Sequence, residues 1–570
     1  MRPILTLSIF TPLLALAQAG TLDPAFGTGG IVTTDIQSHQ DDLEAVAVQA
    51  DGRIVAAGGT YDVGAGIGSI SVVRYNADGT LDGSFGSGGE VITSTGAAYE
   101  QALDVELQTD GRIIVAGSSD SRIILVRYMP DGSLDHSFDG DGIYLNTTWA
   151  GSMGYCLKLQ PDGKILVGGV LNATGAFLRA CIWRFNSDGS LDASFADAGY
   201  QAMDFPGDFE RFYGLALQGD GRIVAVGSTG NTMMDEGLCV ARLNSDGSPD
   251  GLFSGDGKYN TTIGSGAQLL SDLVVDEDEK ITAVGCTPSG GVGRMTVIQL
   301  LSDGTWDDAF NGDGKFISAY GYEDWGHAIV READGRVVIG GACTLSGSDL
   351  HYSVTRLNTD GTLDPAFDGD GVAIALAPGG IGQSTCMALD GQGRIVQGGW
   401  SQPISGPDHT LMRWLNDQGN GVQEGLWGPG DLHCSPNPAR SGEMVTCSFG
   451  NATPQEKTLL TLTDMAGNDP APGEENPGQG SDTIQGDNRA ADRINGEPLT
   501  GHDEATDTIL YRHSKNAVEV SKSPTGAQPP GTNIDFTLTF TNTGDTPIVD
   551  PVITDQLPAD ADGPLLVYDP

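Results

Sequence analysis

The sequence predicts an all-β protein, a seven-bladed β-propeller over residues 20–423 followed by C-terminal β-sandwich-like modules. Three observations predict it. The motif L-D-x-x-F recurs at Asp23/Phe26, Asp82/Phe85, Asp135/Phe138, Asp192/Phe195, Asp250/Phe253, Asp307/Phe310 and Asp364/Phe367, with Pro249 and Trp306 replacing the Leu in two copies. A second motif, D-G-[RK]-[IV], interleaves with it and is anchored at Ile54, Ile113, Ile165, Ile223, Ile281, Val337 and Ile395. The third is an Arg near the end of each unit, at Arg74, Arg127, Arg184, Arg242, Arg356 and Arg413, replaced once by Gln299. A fixed period of roughly 57 residues signals a stacked or radial architecture.

Each unit holds short apolar or alternating runs separated by Gly, Asp and Asn; in the first they are Ile31–Thr34, Leu43–Gln49, Arg53–Ala57 and Ile70–Tyr75. Read together they form one four-stranded meander, and radial repetition leaves such meanders only short, protected edges. A β-solenoid is the alternative, but its coils need only about 20–30 residues. Residues 21–26 are the second half of a connector without its first half, and Asn416-Asp417 is a first half without its second. The domain ends are therefore expected to meet between blades seven and one.

A group present in every unit does the same job in each and is structural. The Asp-Gly pairs supply the positive φ of tight hairpins. The motif Phe is expected to fill the wedge between blades, and the repeated Arg and Asp to pair across blades.

The two motifs stand as NADGTLDGSFGSGG at 76–89 and QTDGRIIVAG at 108–117. In this form they resemble the delta-60 repeat family, a β-propeller family of bacterial secreted proteins, over about residues 21–423. The resemblance implies a propeller fold and export, and carries no settled biochemical activity with it.

Composition and the chain ends agree with export. Arg2, the apolar run Ile4–Leu16 and the A-x-A site Ala17-Gln18-Ala19 read as a signal peptide over 1–19, too short to span a membrane. No later run reaches spanning length. With 29 Lys and Arg against 76 Asp and Glu, the formal charge of −47 repels phosphate backbones and excludes nucleic acid as a partner. The eight cysteines show no dense disulfide framework; Cys156 and Cys386, like Cys181 and Cys239, stand at matching repeat positions as small buried hydrophobes, while Cys434 and Cys447 could pair.

Function is expected where the blades differ. The Asp-Gly hairpins and the N-x-D-G connectors lie on one face of the disc, and the remaining loops on the other. That second face carries Tyr99, Trp149, Phe209, Phe212, Tyr320, Tyr322, Glu323, Trp325 and His327. Of these Trp149, Tyr320, Tyr322, Glu323, Trp325 and His327 are the candidate ligand-binding residues, since aromatics beside acidic groups stack on sugars or grip peptides; packing of loop against loop is the competing reading. D-G-D-G at Asp139–Gly142 and Asp368–Gly371, with S-G-D-G at 254–257 and N-G-D-G at 311–314, offers Asp139, Asp141, Asp256, Asp313, Asp368 and Asp370 as calcium ligands. Turn chemistry alone also accounts for these loops, and calcium is the one cofactor the sequence leaves open. Nucleophile-elbow, zincin and P-loop signatures are absent.

Residues 424–468 form a small β module. With Pro436-Asn437-Pro438, Gly442, Val445 and the turn 464–467 it resembles the sorting domain of type nine secretion substrates, although such a domain normally ends its chain. Residues 469–515 have the composition of a linker. The segment 516–570, through PGTNIDFTLTFTNTGD and ITDQLP, resembles part of an Ig-like repeat of bacterial surface proteins. The sequence as a whole predicts an exported, monomeric, non-enzymatic protein that binds a glycan or another protein on the variable propeller face. A hydrolase or lyase on that face is the rival reading.

Overall fold

The computed structural model describes residues 18–416, apart from 173–176, 233–235, 290, 346–348 and 403–405, and past 416 the backbone of a further set of strands. The signal segment 1–17 lies outside the described residues. Within 18–416 the chain forms seven four-stranded antiparallel sheets arranged as propeller blades. Blade one comprises Gln40–Val48, Ile54–Asp62, Ile67–Tyr75 and Glu90–Thr93. The next five blades repeat this order, with first strands at Glu100–Leu107, Met153–Leu159, Phe209–Leu217, Leu269–Val275 and Glu323–Arg331. The second and third strands carry runs buried on both faces, such as Ile113–Ser119 and Ile123–Tyr128, because each blade is covered by two neighbours.

Blade seven closes the ring, and here the expected phase is corrected. Its first three strands are Gly382–Leu389, Ile395–Ser401 and Asp408–Trp414, and its outer strand is Ile31–Thr34 from the other end of the domain. The ends therefore meet inside blade seven, not between blades seven and one, and the run Ile31–Thr34 is the last strand of a blade rather than the first. Antiparallel pairing of Ile31 with Met412 and Thr34 with His409 sets the register. The split connector is restored across this seam, starting two residues earlier than expected. Gly20 has φ +90° like Gly79 at +87°, and the Ala19 carbonyl accepts from the Asp368 amide at 3.0 Å as the Asp78 carbonyl accepts from Gly27. Removal of residues 1–19 would delete that acceptor together with the Gln18 carbonyl, which accepts from the amide and hydroxyl of Thr21, and the buried Ala19 methyl.

The connector explains why its residues repeat. The Asp of L-D-x-x-F is buried and pairs with the Arg eight residues before it, at 2.7 Å in Arg74–Asp82, Arg127–Asp135, Arg184–Asp192 and Arg242–Asp250. This corrects the expected pairing across blades, because both partners belong to one connector. The link to the next blade is made by the other end of the guanidinium, which donates to a connector carbonyl there: Arg74 to Pro130 and Arg184 to Ser245, each at 2.6 Å. Arg242 reaches Ser302 and Arg413 reaches Ala77 in the same way. A second cation, from the D-G-[RK] hairpin, approaches the same carboxylate at 2.9 Å in Arg112–Asp135 and Lys164–Asp192. The motif Phe lies under the guanidinium, 4.4 Å away in Arg184–Phe195 and 4.6 Å in Arg74–Phe85. It is fully buried against the connector glycine of the next blade, so it fills the wedge as expected.

Blade five departs from this plan. Gln299 turns back to Thr282 at 2.8 Å, and Lys280 is the one cation paired with Asp307 among the described residues, at 2.6 Å. Where the guanidinium would lie, a cleft of about 210 Å3 opens, lined among others by Asp276, Asp278, Gln299, Phe310, Arg331 and Thr359.

Past 416 the backbone strands make two five-stranded antiparallel sheets. One joins Leu432–Ser435, Met444–Ala452, Ile534–Asn542, Ala517–Ser523 and Thr508–Arg512; the other joins Glu497–Pro498, Ala490–Ile494, Ser481–Asp487, Lys457–Thr463 and Val552–Gln556. Strands from 424–468 thus pair with strands from 516–570, and the stretch 469–515 contributes to both sheets. Cys434 and Cys447 stand opposite each other in register. The other six cysteines are free thiols, five of them buried.

Two outcomes follow from the connectors. Phe138→Ala should cost about 3–5 kcal/mol in denaturant unfolding, as a fully buried aromatic truncation. The Ser84 hydroxyl, with Arg74, holds Asp82 down at about 2; against the upward push of burial, Ser137 and Arg127 hold Asp135 at about 2. A carboxyl held below its unfolded value stabilises the fold above that value, near 3.9, and the contribution is lost as pH falls through the folded value. Stability should therefore drop steeply between about pH 4 and pH 2, and Asp135→Asn should flatten that drop.

Candidate functional site

The first strands of the blades surround the ring axis, and each carries a β-bulge that re-aims one side chain. The bulged residues are Glu44, Leu103, Tyr155, Tyr213, Ser271, His327 and Thr385. Two positions earlier stand Asp42, Gln101, Met153, Arg211, Leu269, Trp325 and Gln383. All are half-buried, and neighbouring strands meet through them. Gln101 donates to Glu44 at 3.0 Å, Gln383 meets His327 at 3.2 Å, Ser271 donates to the Gly326 carbonyl at 3.2 Å, and the Tyr155 and Tyr213 rings lie 5.1 Å apart. The result is a belt of dissimilar side chains at the mouth of the axis, on the face opposite the connectors.

Electrostatics within the belt are uneven. Burial, with Asp42 alongside, pushes the Glu44 carboxyl up to about 7, although Gln101 opposes it. Burial lowers His327 to about 4, so its imidazole is neutral. Arg211 is matched by Glu236 at 2.8 Å. Deeper along the axis burial raises Asp104 to about 7 and Asp272 to about 6. Each accepts a backbone N–H of the next blade, Asp104 from Leu157 at 2.6 Å and Asp272 from Ile329 at 2.9 Å, so both act as clasps between blades.

The six sequence-derived binding candidates separate. Trp325 and His327 belong to the belt, on a strand rather than in a loop. Glu323 begins that strand and Tyr322 stands just before it, 62% exposed. Trp149 packs edge-on against Tyr200 at 5.1 Å and joins the core between blades two and three. Tyr320 packs into the core between blades five and six, its hydroxyl 3.0 Å from that of Thr355. The loops missed most of the belt, yet it has a sequence signal. Counting ten residues back from the Ile or Val of D-G-[RK]-[IV] reaches all seven bulged positions, and counting twelve reaches the set that includes Asp42, Arg211 and Trp325.

The D-G-D-G-type loops are tight turns. Asp139, Ser254, Asn311 and Asp368 adopt φ of +47 to +51°. Asp141 and Asp370 accept the amides of Ile143 and Val372, while Asp256 and Asp313 face Lys258 and Lys315 at 3.5 and 2.7 Å. Burial raises Asp139 and Asp368, each further pushed by its neighbour, Asp141 and Asp370.

Five segments, 49–85, 108–138, 160–195, 218–253 and 332–367, match the model of the family described as "Domain of unknown function (DUF5122) beta-propeller". Each runs from a hairpin to the Phe of the same connector, in blades one to four and six. The chain is a repeat β-propeller. Blade five, with its Gln299 connector, and blade seven, split between the two ends, fall outside the matched segments. No curated protein matches the chain. Among solved structures the chain is similar to a catalytically inactive virginiamycin B lyase from Staphylococcus aureus with quinupristin, at 12% identity over 67% of this chain and 98% of that one, TM-score 0.36. It is also similar to a fungal alcohol oxidase of the AA5 family with copper (14%, 93% and 96%, TM-score 0.41) and to Drosophila semaphorin 1b (11%, 71% and 89%, TM-score 0.36). Likeness at this level carries nothing about chemistry.

The two kinds of aromatic should respond differently to truncation. Trp149→Ala is expected to cost on the order of 2–3 kcal/mol in denaturant unfolding, because its ring fills core space. Tyr322→Ala should stay within about 0.5 kcal/mol.

Proposed function

We propose that this protein is an exported, non-enzymatic binding protein whose ligand sits over the mouth of the ring axis. The observation that carries the reading is the belt: positions that repeat in backbone, bulge for bulge, hold side chains that change from blade to blade, only Tyr recurring at the bulge and only Gln two residues before it. Around it the same face exposes Tyr99, Phe177 and Tyr322 along with Val63, Leu345 and Leu376. Aromatic faces beside Asp42, Glu44, Gln101 and Gln383 suit a glycan, whose C–H faces stack on rings while its hydroxyls bond to carboxylates and amides. A protein loop is the other ligand class that fits. Export rests on the apolar run Ile4–Leu16 and the A-x-A site after it.

A second reading has its own observation. Glu44, held near neutrality beside Asp42, is a carboxyl pair of the kind that serves as general acid and base in glycoside cleavage. It would make the same face a hydrolase or lyase.

Glycan and peptide arrays probed with the full chain should find a ligand. Trp325→Ala should weaken its binding by about 2 kcal/mol or more while leaving the unfolding midpoint near that of the parent. Loss of stability comparable to Phe138→Ala would make Trp325 a packing residue and remove the reading. Release of product from the bound ligand, abolished by Glu44→Gln, would favour the enzyme.

A further inference from the structure

The seam between blades seven and one holds three carboxylates. Asp35, Asp41 and Asp408 each place an oxygen within 4.8 Å of the others, the one such trio among the described residues. Asp41 is 0% exposed and Asp408 6%. The Oδ1 atoms of both are buried and have no hydrogen-bond partner, and none of the three is paired with a Lys, Arg or His among the described residues. Asp41 Oδ2 is occupied by the Ile36 amide at 2.7 Å.

The repeat supplies its own control. Asp41 stands thirteen residues before its hairpin Ile54, where blade four has Glu210 and blade six Asp324; Asp408 stands five before Arg413, where blades three and five have Arg179 and Arg294. At those two seams the Arg neutralises the buried carboxylate, Arg179–Glu210 at 2.8 Å and Arg294–Asp324 at 3.0 Å. The same guanidinium also donates to a loop carbonyl three residues before the carboxylate, of Gly207 at 2.8 Å and of Gly321 at 2.7 Å. Glu210 and Asp324 likewise leave one oxygen unbonded, but each has its countercharge. At the closing seam the Arg position is itself an Asp. Carboxylate faces carboxylate, Asp35 adds a third, and Ser38 occupies the place of Gly207 and Gly321. An uncompensated buried cluster of this charge is costly, and a divalent cation removes the cost where a guanidinium does so elsewhere.

We propose that Asp35, Asp41 and Asp408 form a calcium site that staples blade seven, in which the two ends of the domain meet, to blade one. A hard cation of this class takes oxygen ligands at about 2.3–2.6 Å, and the Ser38 carbonyl and water would complete its shell. The site lies on the face opposite the D-G-D-G loops and is independent of the ligand proposed for the axis mouth.

The test is titration of the chelator-treated full chain with calcium chloride, by calorimetry and by melting. Saturable binding and a melting midpoint raised by about 2 °C or more are expected. Asp408→Arg should restore the pairing of the other seams: calcium binding at this site is lost, and without calcium the variant melts at or above the untreated parent. Asp35→Asn, at an exposed position, keeps the fold and should weaken binding at least tenfold. A double change at the turns, Asp139→Asn with Asp141→Asn, should leave binding as it was. No saturable heat and no shift in melting would overturn the proposal; so would affinity unchanged in both Asp408→Arg and Asp35→Asn, or lost only in the turn variant.

Discussion

The guanidinium of the connector Arg is the interaction on which the ring depends. It sits on the buried Asp of its own connector, covers the Phe beneath it and donates to a carbonyl of the next blade, as in Arg184 with Asp192, Phe195 and Ser245. In most blades two cations meet the buried carboxylate, Arg184 from the third strand and Lys164 from the hairpin at Asp192, and its neighbouring Ser or backbone amide bonds it too. One charged group therefore fixes the turn, the wedge and the junction together. Since every blade must make that junction with its neighbour, the residues that build it recur, and they leave no freedom for chemistry.

The departures from the repeat are then informative in physical terms. Where Gln299 replaces the Arg, the junction between blades five and six loses its bridge and opens a cleft. Arg331, at a position held by Val48, Leu107, Leu159, Leu217, Val275 and Leu389 elsewhere, returns a cation to that cleft from the opposite blade and pairs with Glu277 at 3.2 Å. The cation in the cleft thus comes from a different residue on a different strand, while Asp307 keeps Lys280 as its partner. The closing seam shows the opposite case: Asp408 stands where blades three and five have an Arg, and among the described residues no Lys, Arg or His pairs with it.

Much of this was legible in the sequence, because the period, the hairpin glycines and the Asp and Phe of the connector are each tied to one backbone requirement. The phase of the blade was not. Ile31–Thr34 precedes Leu43 in the chain, but hydrogen bonding assigns it to the strand 408–414, and a repeat contains no mark of where one sheet ends. The Arg and Asp partners were also legible as a pair, whereas their direction was not: eight residues apart across a turn and one blade apart in space are equally compatible with a repeating pattern. Among the site candidates, Trp149 and Tyr320 were misleading because a loop aromatic that folds back into the core has the same neighbours in sequence as one that faces solvent.

The belt at the axis mouth gives no sign in the loop sequences, because variation there lies inside a regular strand. A bulge makes this possible: it keeps the flanking alternation of buried and exposed residues while turning one extra side chain toward the axis. The strand can thus hold Glu44 in one blade, Tyr213 in another and His327 in a third without disturbing Leu43, Phe212 or Gly326 beside them. Structural and variable positions are separated by a single residue, and the separation is the same in every blade. That arrangement lets the ring keep its junctions constant while the surface around its axis changes.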